Sequence, residues 1–214
     1  MDEDISIIDS KTRNEKIKNF FINNKKTLII SLTLIILIVI FYFGYNEIQG
    51  NKNKSLALKY NNIIIKFDPL NKSIVKNELI EIIYEKNSTY SPLALYFIID
   101  NKIQASNEEI NNYFDVLINE TNVEKEVKNL IIYKKGLFNS NFETENNLIT
   151  ILKPIINSDS IWKSHALYLI AEFFISKNQK QKAKEFFNQI ISNEKSNAKI
   201  ALESKKRLLR DFNE

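Results

Sequence analysis

The sequence predicts an all-α protein, one membrane-spanning helix followed by a soluble series of helix pairs, and three observations carry that expectation. Nineteen consecutive residues, 27–45, contain no charge. Beyond them apolar residues recur at intervals of three and four, the period of helices with one buried stripe. Only 3 Gly and 3 Pro occur in 214 residues, too few for the turns of a sheet-rich fold or the glycine loops of a nucleotide fold. Asn is expected to take over much of the turn chemistry, because its short side chain tolerates left-handed backbone angles.

The apolar run reads TLIISLTLIILIVIFYFGY and would measure about 28 Å as a helix, matching the hydrocarbon core of a bilayer. A secretory signal would be shorter and end in a small-residue cleavage site, whereas this run continues into Asn46, Glu47, Ile48 and Gln49. An uncleaved anchor is therefore expected, the alternative being a core helix apolar on every face. Basic residues set the direction: Lys11, Arg13, Lys16, Lys18, Lys25 and Lys26 precede the run, against Lys52, Lys54 and Lys59 after it. That asymmetry predicts a cytoplasmic tail over 1–26, a span over 27–45, a linker over 46–55 and an exported domain over 56–214. Phe41, Tyr42, Phe43 and Tyr45 suit the far interface. Ile17, Phe20, Phe21 and Asn24 share one helical face flanked by lysines, so the tail either lies along the inner leaflet or is disordered with incidental spacing.

In the soluble part Leu56, Tyr60, Ile63, Ile64 and Phe67 form a stripe ended by Asp68 and Pro69, and Val75, Leu79, Ile82 and Ile83 form the next. Ser91 and Pro92 open a third over 93–103. Ser106 and Glu109 have the spacing of a capping box before Ile110, Phe114, Leu117 and Ile118. Two more helices are expected over 127–138 and 144–156, bearing Leu130, Ile131, Leu148, Ile151 and Leu152. The last three carry Trp162, Ala166, Leu169, Ile170 and Phe173; Ala183, Phe187, Ile190 and Ile191; and Ala201, Leu208, Leu209 and Phe212. Between the first two of these only Lys177, Asn178 and Gln179 intervene, which forces antiparallel neighbours.

The chemistry is sparse. With no cysteine there are no disulfides and no thiolate catalysis. Charge is interspersed, with 24 basic against 21 acidic residues beyond the span, unlike a nucleic-acid surface. His165 is the only histidine, and no metal, cofactor or catalytic residue is assigned. Glu108 with Glu109, and Glu143 with Glu145, sit where helices begin and read as dipole partners. Trp162 reads as a packing residue, with contact to a bound peptide as the alternative. The sequons at Asn53, Asn71, Asn87 and Asn119 are the chance product of a sequence rich in Asn, Ser and Thr.

Leu167, Ala171, Phe174, Ala183, Phe187 and Ile190 stand in the order and spacing of the tetratricopeptide repeat, a helix-turn-helix unit of about 34 residues that stacks into an α-α superhelix. One unit earlier Gly136 and Leu148 are in register with Ala171 and Ala183. Ile190 and Leu148 stand where small residues are usual, and the repeat's closing proline is missing. The layout resembles the YfgM-type family of ancillary subunits of the bacterial SecYEG translocon. LKPI, IWKSHALYLIAEFFISKNQKQKAKEFFNQI and ALESKKRLL resemble the C-terminal run of alphaproteobacterial members. The resemblance implies a non-enzymatic, single-pass plasma (inner) membrane protein whose periplasmic tetratricopeptide-like domain binds the translocon and periplasmic chaperones, beside a membrane-anchored prolyl isomerase-like chaperone. Two other readings stay open: a scaffold of another envelope-biogenesis complex, and a membrane-bound hydrolase using two carboxylates.

Overall fold

The computed structural model describes Arg13 and residues 15–212. Residues 1–12, Asn14 and the last two lie outside the described residues, and with them Lys11 and half of the expected tail. Among the described residues there are ten α-helices, one short 3₁₀ turn and no strand. The chain divides into two compact units, one ending at Ser55 and the other beginning at Leu56.

In the first unit α1 (residues 15–23) leads through Asn24 into α2 (Lys25–Ile65). The Asn24 N–H donates to the Phe20 carbonyl and the Leu28 N–H to the Asn24 carbonyl, at 3.0 and 2.9 Å, so helical hydrogen bonding continues across the turn. One helix, α2, is long and apolar enough to cross a membrane, and its apolar window has no residue buried against protein. Thr33 satisfies its own hydroxyl by donating to the Ile29 carbonyl at 2.9 Å, within the helix itself. Residues 46–55, read from sequence as a linker, are helical. They contain no proline, Gly50 is tolerated within the helix, and pairs one turn apart, Gln49 to Tyr45 and Asn51 to Glu47, bond along its surface.

The second unit begins with the last turns of α2, where Leu56 and Ile63 are buried. A 3₁₀ turn, Pro69–Asn71, follows, capped by Asp68, whose side chain accepts from the Leu70 N–H. Then come α3 (Lys72–Tyr84), α4 (Tyr90–Asp100), α5 (Asn107–Asn119), α6 (Lys125–Asn139), α7 (Glu145–Ile156), α8 (Lys163–Ser176), α9 (Lys180–Ser192) and α10 (Ala198–Phe212). From α3 onward each helix packs on the next, and α3 with α5, α6 with α8 and α8 with α10 pack as well.

Local chemistry explains the ends. The capping box at Ser106 and Glu109 is formed in both directions. The Asn87 side chain accepts from the Thr89 and Tyr90 N–H groups at the start of α4, and that of Asn197 from Lys199 and Ile200 at the start of α10. Among the described residues the left-handed positions depart from the sequence reading: Asn178 is one, but Lys86 and Lys102 are the other two, with φ of 51° and 50°. That conformation costs a residue with a β-carbon about 1–2 kcal/mol. Hydrogen bonds that close the helix end offset it: the Ile103 N–H reaches the Ile98 carbonyl and the Gln179 N–H the Phe174 carbonyl. For the same reason the helix expected over 93–103 begins earlier, at Tyr90, and stops at Asp100, while Ile103 folds back into the core beyond it.

Two hydrophobic clusters meet at α6, where Ile131 enters the first and Ile132 the second. Leu167, Ala171 and Phe174 from α8, and Ala183, Phe187 and Ile190 from α9, are all buried in the second, with Leu148 from α7. Gly136 lies against α7 so closely that a β-carbon there would meet the Leu152 side chain at 2.5 Å. On α10 the expected stripe is corrected: Leu209 is exposed, and fully buried Ser204 takes the inward place with its hydroxyl on the Ile200 carbonyl. Ala201, Ser204, Leu208 and Phe212 keep one face, from which Leu209 is rotated by about 100°. Polar ties between successive hairpins span 33 to 37 residues of chain, among them Lys76–Glu109, Glu126–Ser160, Glu172–Arg207 and Glu145–Lys182.

Two substitutions test this packing by thermal unfolding of the full chain in detergent. Gly136→Leu is expected to cost about 1–3 kcal/mol through overpacking against Leu152, and an unchanged unfolding temperature would refute the close approach. Ser106→Ala is expected to cost about 1 kcal/mol through loss of the cap.

Candidate interaction surface

The even-numbered helices α4, α6, α8 and α10 are linked by side-chain contacts along one strip. Tyr96 on α4 lies under Lys134 of α6, with the ammonium 5.4 Å from the ring centroid. Tyr133, next along α6, stacks on Trp162 at the start of α8, with centroids 5.8 Å apart and planes at 19°. His165 closes this group, 6.0 Å from Tyr133 and 5.2 Å from Trp162. On α8 His165, Tyr168 and Glu172 follow at intervals of three and four, one helical face. Glu172 pairs with Arg207 of α10, which also holds Asp211 at 2.6 Å.

Between α4 and α6 the strip deepens into a cleft of about 210 Å³. Tyr96, Ile99, Phe114, Leu137 and Phe138 give it apolar walls, and Asp100, Lys134 and Asn141 add polar groups. The Tyr96 hydroxyl is buried and has no hydrogen-bond partner among the described residues. Burial pushes its pKa up to about 12, so the phenol stays neutral. Burial likewise raises Tyr133 and Tyr168. His165 moves the other way: burial lowers its imidazole from 6.5, opposed in part by the Ile161 carbonyl. Its Nδ1 is buried without a well-formed hydrogen bond. Such a surface offers aromatic faces and a few charged groups, the composition that recurs at protein interfaces.

The sequence-derived repeat positions do not line this strip. Leu167, Ala171, Phe174, Ala183, Phe187, Ile190, Gly136 and Leu148 are buried between helices, and their effect on the surface is to set helix spacing. Trp162 packs on Tyr133 and is half-buried. Sequence reading missed Tyr96, Tyr133, Lys134, Leu137 and Arg207 as members of one surface. The signal available was their position just off the buried stripes of alternate helices.

Among the described residues the carboxyls with displaced pKa values are lowered. The Ser106 backbone N–H lowers Glu109 first, Lys195 lowers Asp159, and Arg210 followed by Arg207 holds Asp211 down to about 2. A two-carboxylate hydrolase requires one raised acid. Glu108, Glu109 and Glu145 occupy first helical turns, and Glu143 bonds Asn147 at 2.8 Å. Among the described residues no group of three or more His, Cys, Asp or Glu is placed to hold a metal. Compared with known proteins, the chain matches no family model, no curated protein and no solved structure.

The buried imidazole makes the fold sensitive to acid. Because His165 is depressed, neutral histidine is favoured in the folded state, and its contribution is complete above 6.5 and lost as pH falls below that value. The unfolding temperature of the helical unit, followed by circular dichroism, is expected to drop between pH 7.5 and 5, and His165→Phe to flatten that drop. Parallel pH profiles for the two proteins would refute the assignment.

Proposed function

We propose that this chain is a membrane-anchored adaptor that binds protein partners along the α4–α10 strip. The observation that carries the reading is a series of aromatic and charged side-chain contacts between alternate helices, Tyr96 with Lys134, Tyr133 with Trp162 and His165, and Glu172 with Arg207, on a chain that also holds a helix long enough to span a bilayer. The packing of α3 on α5, of α6 on α8 and of α8 on α10, polar ties about one hairpin apart, and small residues at Gly136, Ala171 and Ala183 support a tetratricopeptide-like superhelix. In that arrangement α4, α6, α8 and α10 are the inner helices and the strip is the concave side. The basic residues preceding the span support a cytoplasmic N-terminus and a periplasmic helical domain in the bacterial inner membrane.

The sequence resemblance supports a specific version, an ancillary subunit of the SecYEG translocon that hands exported polypeptides to chaperones. The adaptor function needs no bound cofactor and no catalytic group. A scaffold in another envelope assembly would use the same strip.

A photoreactive amino acid at Leu137, irradiated in intact membranes, is expected to capture translocon or periplasmic chaperone components, identified by mass spectrometry. Capture of a different envelope assembly moves the assignment to that complex, and no capture at Leu137 or Tyr168 overturns the adaptor reading. Tyr133→Ala is expected to reduce capture about tenfold or more, the scale of losing one aromatic anchor. Protease added to spheroplasts is expected to digest the C-terminal unit, and its survival would reverse the topology.

A further inference from the structure

The N-terminal flank of the span carries chemistry that the adaptor reading leaves unused. Hydrogen bonding continues through Asn24, so helical periodicity holds from α1 into α2. Lys18 and Lys25, seven residues apart, therefore share a face, with Phe21 and Ile22 between them. Directly beyond Lys25 the same face continues as Leu28, Ile29 and Leu32. A shallow groove of about 550 Å³ runs along it, lined by Phe21, Ile22, Lys25, Leu28, Ile29 and Leu32, and Lys25 is the one charged group in its lining.

Neither Lys18 nor Lys25 forms an ion pair or side-chain hydrogen bond among the described residues, and Glu15 is the one acidic residue in the described flank. An unpaired ammonium at the edge of a hydrocarbon-lined groove, two residues before an apolar span, calls for a ligand with a negative head and apolar tails.

We propose that Lys18 and Lys25 bind the phosphate of an anionic phospholipid whose acyl chain lies along Leu28, Ile29 and Leu32. The site rests on the anchor reading above. An acidic peptide would satisfy the two ammonium groups and leave the apolar groove uncovered. A zwitterionic lipid would fill the groove with its own choline or ethanolamine facing the lysines. Both demands are met together by a lipid of net negative charge.

The test uses the full chain in phosphatidylcholine vesicles, with spin-labelled phosphatidylglycerol or spin-labelled phosphatidylcholine as probe, and reads the motionally restricted fraction by electron paramagnetic resonance. Wild type is expected to prefer phosphatidylglycerol by up to about fivefold per lysine. Lys18→Gln with Lys25→Gln is expected to abolish the preference, and Lys26→Gln, about 100° away on the helix, to leave it within about twofold. Equal association of both lipids, or equal loss in the Lys26 variant, overturns the site and leaves the anchor standing. Release of the wild-type chain from vesicles by alkaline carbonate removes the anchor and the site together.

Discussion

The close approach of neighbouring helices is the constraint on which the rest of this structure depends. At Gly136 a side chain from α7, Leu152, already fills the space a β-carbon would need. Ala171 on α8 and Ala183 on α9 are fully buried in the same cluster, where Phe174 and Phe187 fill the gaps beside them. Each large apolar side chain taken out of water contributes about 1.5–3 kcal/mol, but only if backbones come near enough for the rings to interdigitate. The surface ion pairs between hairpins add little to that balance. They are better understood as setting the register between hairpins that the core holds together.

From this spacing follows the surface. Because α6 packs on α8 and α8 on α10, side chains just off their buried stripes meet across the junctions. Tyr133 reaches Trp162 and His165, and Glu172 reaches Arg207. The strip therefore joins pieces that are distant in sequence, and its polar groups are partly withdrawn from water. Burial raises the Tyr96 phenol and lowers the His165 imidazole, both in favour of the neutral form, so the same surface presents hydrogen-bonding tips on an apolar ground. Acid would place a charge there that the surrounding rings do not solvate.

The two units distribute their apolar side chains differently. In the second, the amphipathic stripes direct Leu79, Phe114 and Ile170 inward. In the first, Ile30, Phe41 and Phe43 are exposed without any stripe, on a helix long and apolar enough to cross a membrane.

Sequence by itself determined the helical class, the apolar segment, the three-residue turn between α8 and α9, and most of the buried positions. These rest on periodicity and on local capping, which neighbours along the chain decide. Leu209 shows the limit: an apolar residue adjacent to the stripe can be mistaken for part of it, and only contact with α8 and α9 selects Ser204 instead. Lys86 and Lys102 show another, since left-handed backbone is chosen there by hydrogen bonds closing a helix end and not by residue preference. Tertiary structure alone decided which half-buried residues of alternate helices became neighbours, because Tyr96, Tyr133, His165 and Arg207 are placed along one strip by helix packing that no local pattern encodes.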